Sequence, residues 1–172
     1  MIQIHNDVMH EHLCNIIKDD FSGKMSQNIW TSSALRWTSD ILVNISGTQL
    51  NCSATESVQK YFIDSIKHLL PEHGEETRIE VQYCIYPPHS GISLHSDESH
   101  NFAATLYLNE YWDINDGGLL IYEDGSKWTA YVPKYNTMAV INDQTRHMVT
   151  PVSSNVKYPR YTIQIWGRKK CG

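Results

Sequence analysis

The sequence predicts a mainly β fold, a jelly roll (double-stranded β-helix) with helices in front of it. Up to about residue 70, apolar residues recur every three or four positions, as they do on one face of a helix. After residue 77 they recur at every second position, and glycine, asparagine, aspartate or proline separates nearly all of the short β-rich runs. Many short strands at this spacing are typical of a sandwich or jelly roll rather than of alternating βαβ units.

Two helices are predicted in the front part of the chain. The first covers about 6–20 and starts after a capping residue at Asn6 or Asp7. The second starts at a capping box of Ser53 and Glu56, whose side chains can each accept a hydrogen bond from a backbone N–H of the first turn. Both helices are expected to be structural, because an apolar stripe on a helix suits packing against a core.

The β-rich runs place the jelly-roll core at about 78–168, behind a helical support of about 1–76, in a single domain of residues 1–172. Neither an internal repeat nor a linker interrupts this domain. The pair Gly117 and Gly118 is expected to form a turn with positive φ before one of the strands. We expect strands at 78–86, 102–108, 118–123, 129–132, 137–141, 148–152 and 161–166, with an additional edge strand at 40–46.

The composition is that of a globular chain, with 172 residues, 41% hydrophobic residues and a net charge of -5. An acidic chain has no general attraction for phosphate backbones or anionic lipids, so we expect neither nucleic acid nor a membrane as partner. No apolar run approaches the ~20 residues of a membrane span, and the first residues hold no basic patch or apolar signal core. The four cysteines are scattered, without a Cys-x-x-Cys pair, so we expect reduced thiols in a cytoplasmic protein.

The residues that carry chemistry begin with the triplet His95-Ser96-Asp97, which presents an imidazole and a carboxylate on the same side of a strand. Such a triplet occurs by chance in a chain with nine histidines, so its surroundings decide its meaning. His147 follows about fifty residues later. Two imidazoles and one carboxylate on one face of a metal, with the opposite positions open, form the facial triad of non-haem Fe(II) oxygenases. Arg160 lies thirteen residues after His147, and its planar guanidinium is a natural partner for a carboxylate.

Over roughly residues 78–168 the chain resembles the 2-oxoglutarate/Fe(II)-dependent oxygenases, specifically the prolyl 4-hydroxylase-like branch. The resemblance rests on an ordered set of motifs and not on one of them. The matching residues are the segments 83–87, 95–97, 107–109, 117–119, 132–136 and 147–152, together with Trp112, Arg160 and Trp166.

The resemblance implies that His95, Asp97 and His147 hold Fe(II) and form the catalytic centre. 2-Oxoglutarate would bind the metal through its 1-carboxylate and 2-keto oxygen, and O2 would also bind there. The implied reaction is hydroxylation of an unactivated C–H bond with release of succinate and CO2, and Asp97 favours it because a related halogenase lacks this carboxylate. The implied substrate is a prolyl residue in a peptide or protein, or a free amino acid, with ascorbate as an accessory cofactor.

The same resemblance implies which residues bind the co-substrate. Arg160 would pair with the distal carboxylate of 2-oxoglutarate, the Tyr107 hydroxyl would hydrogen-bond to the same group, and Tyr86 would line the pocket. Arg160 lies further from the distal histidine than is usual in this branch. A polar turn at 153–159 accounts for the extra length, and Lys157 is the alternative anchor.

Three residues are expected to contact the substrate. Trp166 would form the wall on the substrate side. The segment 22–40 precedes the barrel, and we expect it to cover the substrate with Arg36 and Trp37 as its contacts.

Three other functions stay open on the sequence alone. A nucleic-acid dealkylating dioxygenase would carry a second arginine six residues after Arg160, where this chain has Trp166. A non-catalytic jelly-roll binding or sensing module would keep the metal site as a relic and give no signal that depends on Fe(II) and 2-oxoglutarate. A cupin-type metalloenzyme would not bind 2-oxoglutarate, and the presence of Arg160 and Tyr107 argues against it.

Overall fold

The computed structural model confirms the predicted fold class, a jelly roll of antiparallel strands with two helices packed against it. It describes residues 2–36, 46–74, 77–97, 100–142 and 145–169. The helices are α1 (Glu11–Met25) and α2 (Glu56–Ile66), and short 3-10 turns cover Lys67–Leu69 and Ile114–Asp116. The strands are β1 (Ile2–His5), β2 (Thr31–Arg36), β3 (Ser46–Ser53), β4 (Thr77–Tyr86), β5 (Ile92–His95), β6 (His100–Tyr107), β7 (Leu120–Asp124), β8 (Lys127–Tyr131), β9 (Met138–Asn142), β10 (His147–Val149) and β11 (Arg160–Lys169).

The strands form two sheets with a cavity between them. The large sheet has the order β1-β9-β6-β11-β4-β3-β2, and the small sheet has the order β5-β10-β7-β8. From β4 to β11 the chain passes back and forth between the two sheets, and the neighbouring strands are antiparallel. This connectivity is that of a jelly roll.

Strand β11 runs through the middle of the large sheet, between β6 and β4. Alternate residues of a strand point to opposite faces. Ile163 and Ile165 are fully buried on the face that packs against the helices, whereas Arg160 and Gln164 line the cavity on the other face. The period-two pattern of this strand therefore separates the residues of the core from the residues of the site.

Both helices cover the outer face of the large sheet. Leu13 and Ile17 of α1 and Phe62 and Ile66 of α2 are buried in one apolar cluster with Ile163. Each such side chain contributes about 1.5–3 kcal/mol when it is buried, so this cluster makes the large sheet a rigid wall for the cavity. None of the described helices is long and apolar enough to cross a membrane.

Helix α1 starts after His10, whose imidazole caps it by accepting a hydrogen bond from a first-turn N–H at 3.3 Å. The predicted cap at Asn6 or Asp7 is therefore wrong. The chain before the helix is held by tertiary contacts instead. The amide of Asn136 accepts from the N–H of Met9 at 2.8 Å and donates to its carbonyl oxygen at 2.9 Å. Because the partner lies far away in sequence, no local pattern shows where the helix begins.

The predicted capping box at the start of α2 is also wrong. Ser53 is the last residue of β3, and Thr55 is the N-cap residue. Asp20 of α1 accepts hydrogen bonds from the backbone N–H of Thr55, at 3.1 Å, and from its hydroxyl. The same carboxylate accepts from the hydroxyl of buried Tyr83 at 2.9 Å. A side chain from the other helix thus takes the place of the local cap.

The front part of the chain also contributes strands, which its helical pattern does not predict. Strand β1 pairs with β9, and β3 and β2 extend the large sheet beyond β4. Strand β2 also contacts β5 of the small sheet. Residues 40–45 of the predicted edge strand lie outside the described residues, and Ser46 is the first residue of β3.

Candidate active site

The site begins with two histidines that strand pairing brings together. His95, at the end of β5, lies directly opposite His147, at the start of β10, and their ring centroids are 4.2 Å apart. Each Nδ1 hydrogen-bonds to the carbonyl oxygen two residues earlier, at 2.7 Å for Ser93 and 2.9 Å for Thr145. Because a carbonyl oxygen only accepts, each Nδ1 carries the proton, and each Nε2 keeps its lone pair for a metal.

Asp97 completes the group from the chain after β5, which ends at His95. Its Oδ1 lies 3.8 Å from Nε2 of His95, and its Oδ2 lies 3.7 Å from Nε2 of His147. One donor atom from each of the three residues lies within 4.8 Å of the others. Two neutral imidazoles and one carboxylate are the donors of an Fe(II) facial triad, so these residues fit that metal.

A third histidine faces the same carboxylate. Nδ1 of His100 lies 3.9 Å from Oδ1 of Asp97. Burial lowers the pKa of both His100 and His147, which favours their neutral forms. The neutral imidazole is the form that binds a metal, so burial prepares His147 for this role.

The three residues open onto a cavity of about 210 Å³ between the two sheets. Tyr86, Tyr107 and Arg160 line the same cavity from the large sheet. The register explains why they meet, since Arg160 lies opposite Tyr86 in β4, and Tyr107 lies opposite the next inward-facing residue of β11. The three metal-ligating residues and a guanidinium thus share one small space.

Arg160 is buried, with 1% of its surface exposed, and its guanidinium carbon lies 4.9 Å from the ring centroid of Tyr86 and 5.1 Å from that of Tyr107. Its Nε and Nη1 have no hydrogen-bond partner among the residues that the structure describes, and neither does the Tyr107 hydroxyl. An unpaired buried cation is costly, and the planar fork of a guanidinium matches a carboxylate. The residues therefore fit a carboxylate ligand in this cavity.

Burial raises the pKa of Tyr107 to about 12, although the positive charge of Arg160 acts in the opposite direction. Burial also raises the pKa of Tyr86. Both hydroxyls therefore keep their protons at neutral pH. Tyr107 can donate a hydrogen bond to an anion that Arg160 holds.

Comparison with protein families indicates which ligands bind at a site of this geometry. A model of the 2OG-Fe(II) oxygenase superfamily matches residues 81–168, about half of the chain, and this segment includes the triad and Arg160. The chain belongs to the 2OG-Fe(II) oxygenase superfamily. Members of this superfamily use Fe(II) and 2-oxoglutarate, for which the three donors and the buried guanidinium are suited.

Solved structures share the fold of this oxygenase at low sequence identity. A prolyl hydroxylase from Trichoplax adhaerens, in complex with a hypoxia-inducible factor peptide, superposes with a TM-score of 0.73 at 15% identity, over 98% of this chain and 84% of the other. A prolyl-4-hydroxylase from Pseudomonas putida gives 0.67 at 17% identity, over 99% and 93%. HygX from Streptomyces hygroscopicus, with nickel, 2-oxoglutarate and hygromycin B bound, gives 0.64 at 10% identity, over 98% and 83%. No curated protein matches the chain at a significant level.

Gly118 makes room for Arg160 in this oxygenase. Gly117 and Gly118 have φ values of 69° and 60°, which confirms the predicted turn with positive φ. A Cβ on Gly118 would lie 2.8 Å from Cδ of Arg160. The sequence indicates the turn, but only the structure shows that the absence of a side chain on Gly118 leaves space for the aliphatic part of the Arg160 side chain.

Asn109 fixes the start of β11 despite the long connection from the distal histidine. Its Nδ2 donates to the carbonyl oxygen of Pro159 at 2.9 Å, and its Oδ1 accepts from the N–H of Tyr161 at 2.7 Å. Arg160 lies between these two bonds and faces the cavity. Lys157, the alternative anchor, lies on the surface with its Nζ 5.1 Å from the ring centroid of Tyr158.

The residues predicted to contact substrate are placed only in part. Trp166 lines the cavity, and its ring centroid lies 6.4 Å from that of His100, beside the triad. Arg36 ends strand β2, and its side chain lies outside the described part of the molecule, as does all of Trp37. The prediction that these two residues cover the substrate therefore stays a prediction.

Sequence reasoning missed three polar side chains of the cavity wall, which are Gln49, Thr105 and Gln164. The hydroxyl of Thr105 donates to Oε1 of Gln164 at 2.9 Å, and Nε2 of Gln164 donates to the hydroxyl of Thr162 at 3.3 Å. The alternation along β11 could have predicted Gln164, because every second residue of a strand faces the same side and Gln164 therefore faces the cavity together with Arg160. No such signal was used for Gln49, because it lies on β3, between the predicted edge strand at 40–46 and the predicted second helix, where no strand was expected.

Proposed function

We propose that this oxygenase is a 2-oxoglutarate- and O2-dependent hydroxylase that acts on an unactivated C–H bond and releases succinate and CO2. The observation that carries the proposal is the buried guanidinium of Arg160, which faces the same cavity as His95, Asp97 and His147 and whose Nε and Nη1 have no partner among the described residues. A ligand with a carboxylate at each end could bind a metal at the triad with one carboxylate and pair with Arg160 through the other.

In this proposal His95, Asp97 and His147 are the catalytic metal ligands. Fe(II), when bound, would activate O2 for the oxidation of 2-oxoglutarate and the substrate. The hydrogen bonds from each Nδ1 to a backbone carbonyl hold the two imidazoles in one orientation and one tautomer. A metal held by only these three donors would keep further positions for other ligands.

Arg160 and Tyr107 bind the distal carboxylate of 2-oxoglutarate in this proposal. The unpartnered Nε and Nη1 of the guanidinium offer N–H donors, and the Tyr107 hydroxyl offers another donor because its pKa is about 12. The rings of Tyr86 and Tyr107, whose centroids lie 4.9 and 5.1 Å from the guanidinium carbon, would shield the ion pair from water. Trp166 forms the wall beside the triad at which a substrate would enter.

For the substrate we propose a prolyl residue in a peptide or protein, or a free amino acid. The sequence resemblance and the fold of the prolyl hydroxylases from Trichoplax and Pseudomonas support this class. The fold alone does not select it, since HygX shares the fold and is bound to hygromycin B. Ascorbate remains a prediction of the sequence resemblance.

The first experiment is an anaerobic titration of the protein with Fe(II) and then 2-oxoglutarate, followed by visible absorption. We expect a charge-transfer band that His147→Ala abolishes and that needs far more 2-oxoglutarate in Arg160→Ala. Arg168→Ala is the matched control, because it removes a half-exposed arginine from the same strand and should leave the band unchanged. No band from folded protein would contradict the proposal and favour a binding module or a cupin-type enzyme.

The substrate class is tested by succinate release in air, with and without ascorbate. Proline-containing peptides are compared with free L-proline, other amino acids and a methylated oligonucleotide. Stimulation by a prolyl peptide or an amino acid supports the proposed class, and stimulation by the oligonucleotide alone contradicts it.

A further inference from the structure

A second pocket lies on the outer surface of the barrel, away from the triad. Its volume is about 910 Å³, at the upper end of the ~300–1,000 Å³ of pockets for drug-sized ligands. We call it the outer groove. Its apolar floor consists of Leu108, Trp112, Val156 and Tyr161.

The floor of the outer groove is the reverse side of the co-substrate pocket. Trp112 and Val156 pack against the buried cluster that contains Tyr86 and Val152. The indole N–H of Trp112 donates to the carbonyl oxygen of Gly117 at 2.9 Å. The floor is therefore fixed, while the residues proposed to hold Fe(II) and 2-oxoglutarate do not line the groove.

Two tyrosines border the outer groove from different segments of the chain. Tyr111 is 90% exposed and Tyr158 is 57% exposed. Aromatic rings attract cations to their faces. One of these rings already does so, because Nζ of Lys157 lies 5.1 Å from the ring centroid of Tyr158. The ring of Tyr111 offers the same surface to a cation from another molecule.

The charges of the outer groove also favour a cation. Glu110, Asp113 and Asp116 line it, and Lys157 is the one cation among the described lining residues. Two of the carboxylates are held in place by the 3-10 turn, since Asp113 accepts from the N–H of Asn115 at 2.9 Å and Asp116 accepts from the N–H of Asp113 at 2.8 Å. The groove thus combines exposed aromatic faces with an excess of fixed negative charge.

We propose that the outer groove is a docking site for an extended segment of a partner protein that carries lysine or arginine. One cationic side chain would lie over Tyr111, as Lys157 lies over Tyr158, and others would pair with the carboxylates. The apolar floor would pack against the aliphatic parts of these long side chains. The site is separate from the catalytic cavity, so docking leaves that cavity open.

The test measures fluorescence anisotropy of a fluorescein-labelled nonapeptide of alternating lysine and leucine, with a glutamate-for-lysine peptide as comparison. We expect the basic peptide to bind and the acidic one to fail. The double variant Tyr111→Ala/Tyr158→Ala should weaken binding at least tenfold, and Glu110→Gln should weaken it severalfold.

Matched controls come from helix α2, outside the groove. Tyr61→Ala removes a tyrosine that is 39% exposed, and Glu56→Gln removes one carboxylate. Both should leave the affinity unchanged, which separates docking in the groove from general attraction to an acidic protein. Unchanged midpoints of thermal unfolding show that the variants fold.

Equal affinities for the acidic and basic peptides, or an unchanged affinity in the double variant, would overturn the proposal. So would a dimer, seen in sedimentation, that the double variant abolishes, because the groove would then hold a second copy of the chain. Peptide binding needs no metal, so this result is independent of whether the proposed hydroxylase activity is found.

Discussion

Arg160 brings a positive charge into the interior of the barrel. The faces of Tyr86 and Tyr107 offset part of the cost of removing this charge from water. Its Nε and Nη1 nevertheless lack a hydrogen-bond partner among the described residues, and a buried cation without a counter-ion destabilises a fold. A bound carboxylate would remove this penalty, so stability and co-substrate binding should change in opposite directions at this position.

We therefore expect Arg160→Met to raise the free energy of unfolding of the ligand-free protein by about 1–3 kcal/mol, because an apolar side chain of similar length replaces the unpaired charge. The same change should weaken 2-oxoglutarate binding by about 2 kcal/mol or more. Urea denaturation measures the first effect, and titration of the charge-transfer band measures the second. A less stable ligand-free variant would show that the guanidinium is already satisfied inside the protein.

Gly118 is tested by comparison with another glycine of similar backbone conformation. Gly118→Ala and Gly125→Ala both place a side chain at a φ of 60°, which costs about 1–2 kcal/mol. Only the Cβ at position 118 meets Arg160, at 2.8 Å, while no atom lies within 4 Å at position 125. We expect Gly118→Ala to lose about 1 kcal/mol more and to weaken 2-oxoglutarate binding. Equal losses in urea denaturation, with unchanged binding, would contradict the packing role.

At the scale of elements, the site depends on which strands become neighbours. His95 and His147 meet because β5 pairs with β10, and Arg160 meets Tyr86 because β11 pairs with β4. The helices hold the opposite face of the large sheet. The contact through Asp20, which binds α2 and β4 at the same time, ties both helices to that sheet.

We expect Asp20→Ala to lower the free energy of unfolding by about 1–3 kcal/mol, because the N-cap residue Thr55 and the Tyr83 hydroxyl both lose the carboxylate that accepts their hydrogen bonds. Asp19→Ala is the matched control, since this neighbour is exposed and should change stability by about 0.5 kcal/mol at most. Urea denaturation measures both variants. Similar losses of unfolding free energy in the two variants would show that the negative charge on α1, and not the hydrogen bonds of Asp20, stabilises the fold.

At the scale of the whole molecule, the core buries several groups that lose a proton only at high pH. Burial raises the pKa of Cys84 from its ordinary 9.0 to about 12 and that of Tyr107 from 10.0 to about 12. It also raises the pKa values of Tyr83 and Tyr86. Above pH 9 the unfolded chain therefore releases protons that the folded chain retains.

The free energy of unfolding should consequently fall as the pH rises from about 9 to about 12, by about 1.4 kcal/mol per pH unit for each such group. Below this window these groups add no pH dependence, because both states hold their protons. Urea denaturation at pH 8, 10 and 11 measures the slope. Tyr107→Phe should reduce the slope of the unfolding free energy against pH by the contribution of one group. A free energy that does not change with pH would contradict the burial of these residues.

How much the sequence could predict differs between particular residues. The period-two runs predicted the core strands from β4 onward within a few residues, except for β5, which was not among the predicted runs; alternation reports a half-buried strand directly. The starts of α1 and α2 were wrong, because Asn136 and Asp20 fix them from distant parts of the chain. Gln49 was missed for the same reason, since its strand is recognised only when it pairs with β4.

The sequence by itself determined the jelly-roll class and the order of the motifs of this oxygenase, because periodicity, turn residues and residue chemistry are local properties of the chain. Only the tertiary structure decided that His95, Asp97 and His147 place their donor atoms within 4.8 Å of one another. It also decided that Arg160 faces the same cavity with two nitrogens that no residue of the described part of the chain satisfies. Strand pairing joins residues far apart in the chain, and burial sets the cost of an unpaired charge. Neither can be read from any one segment.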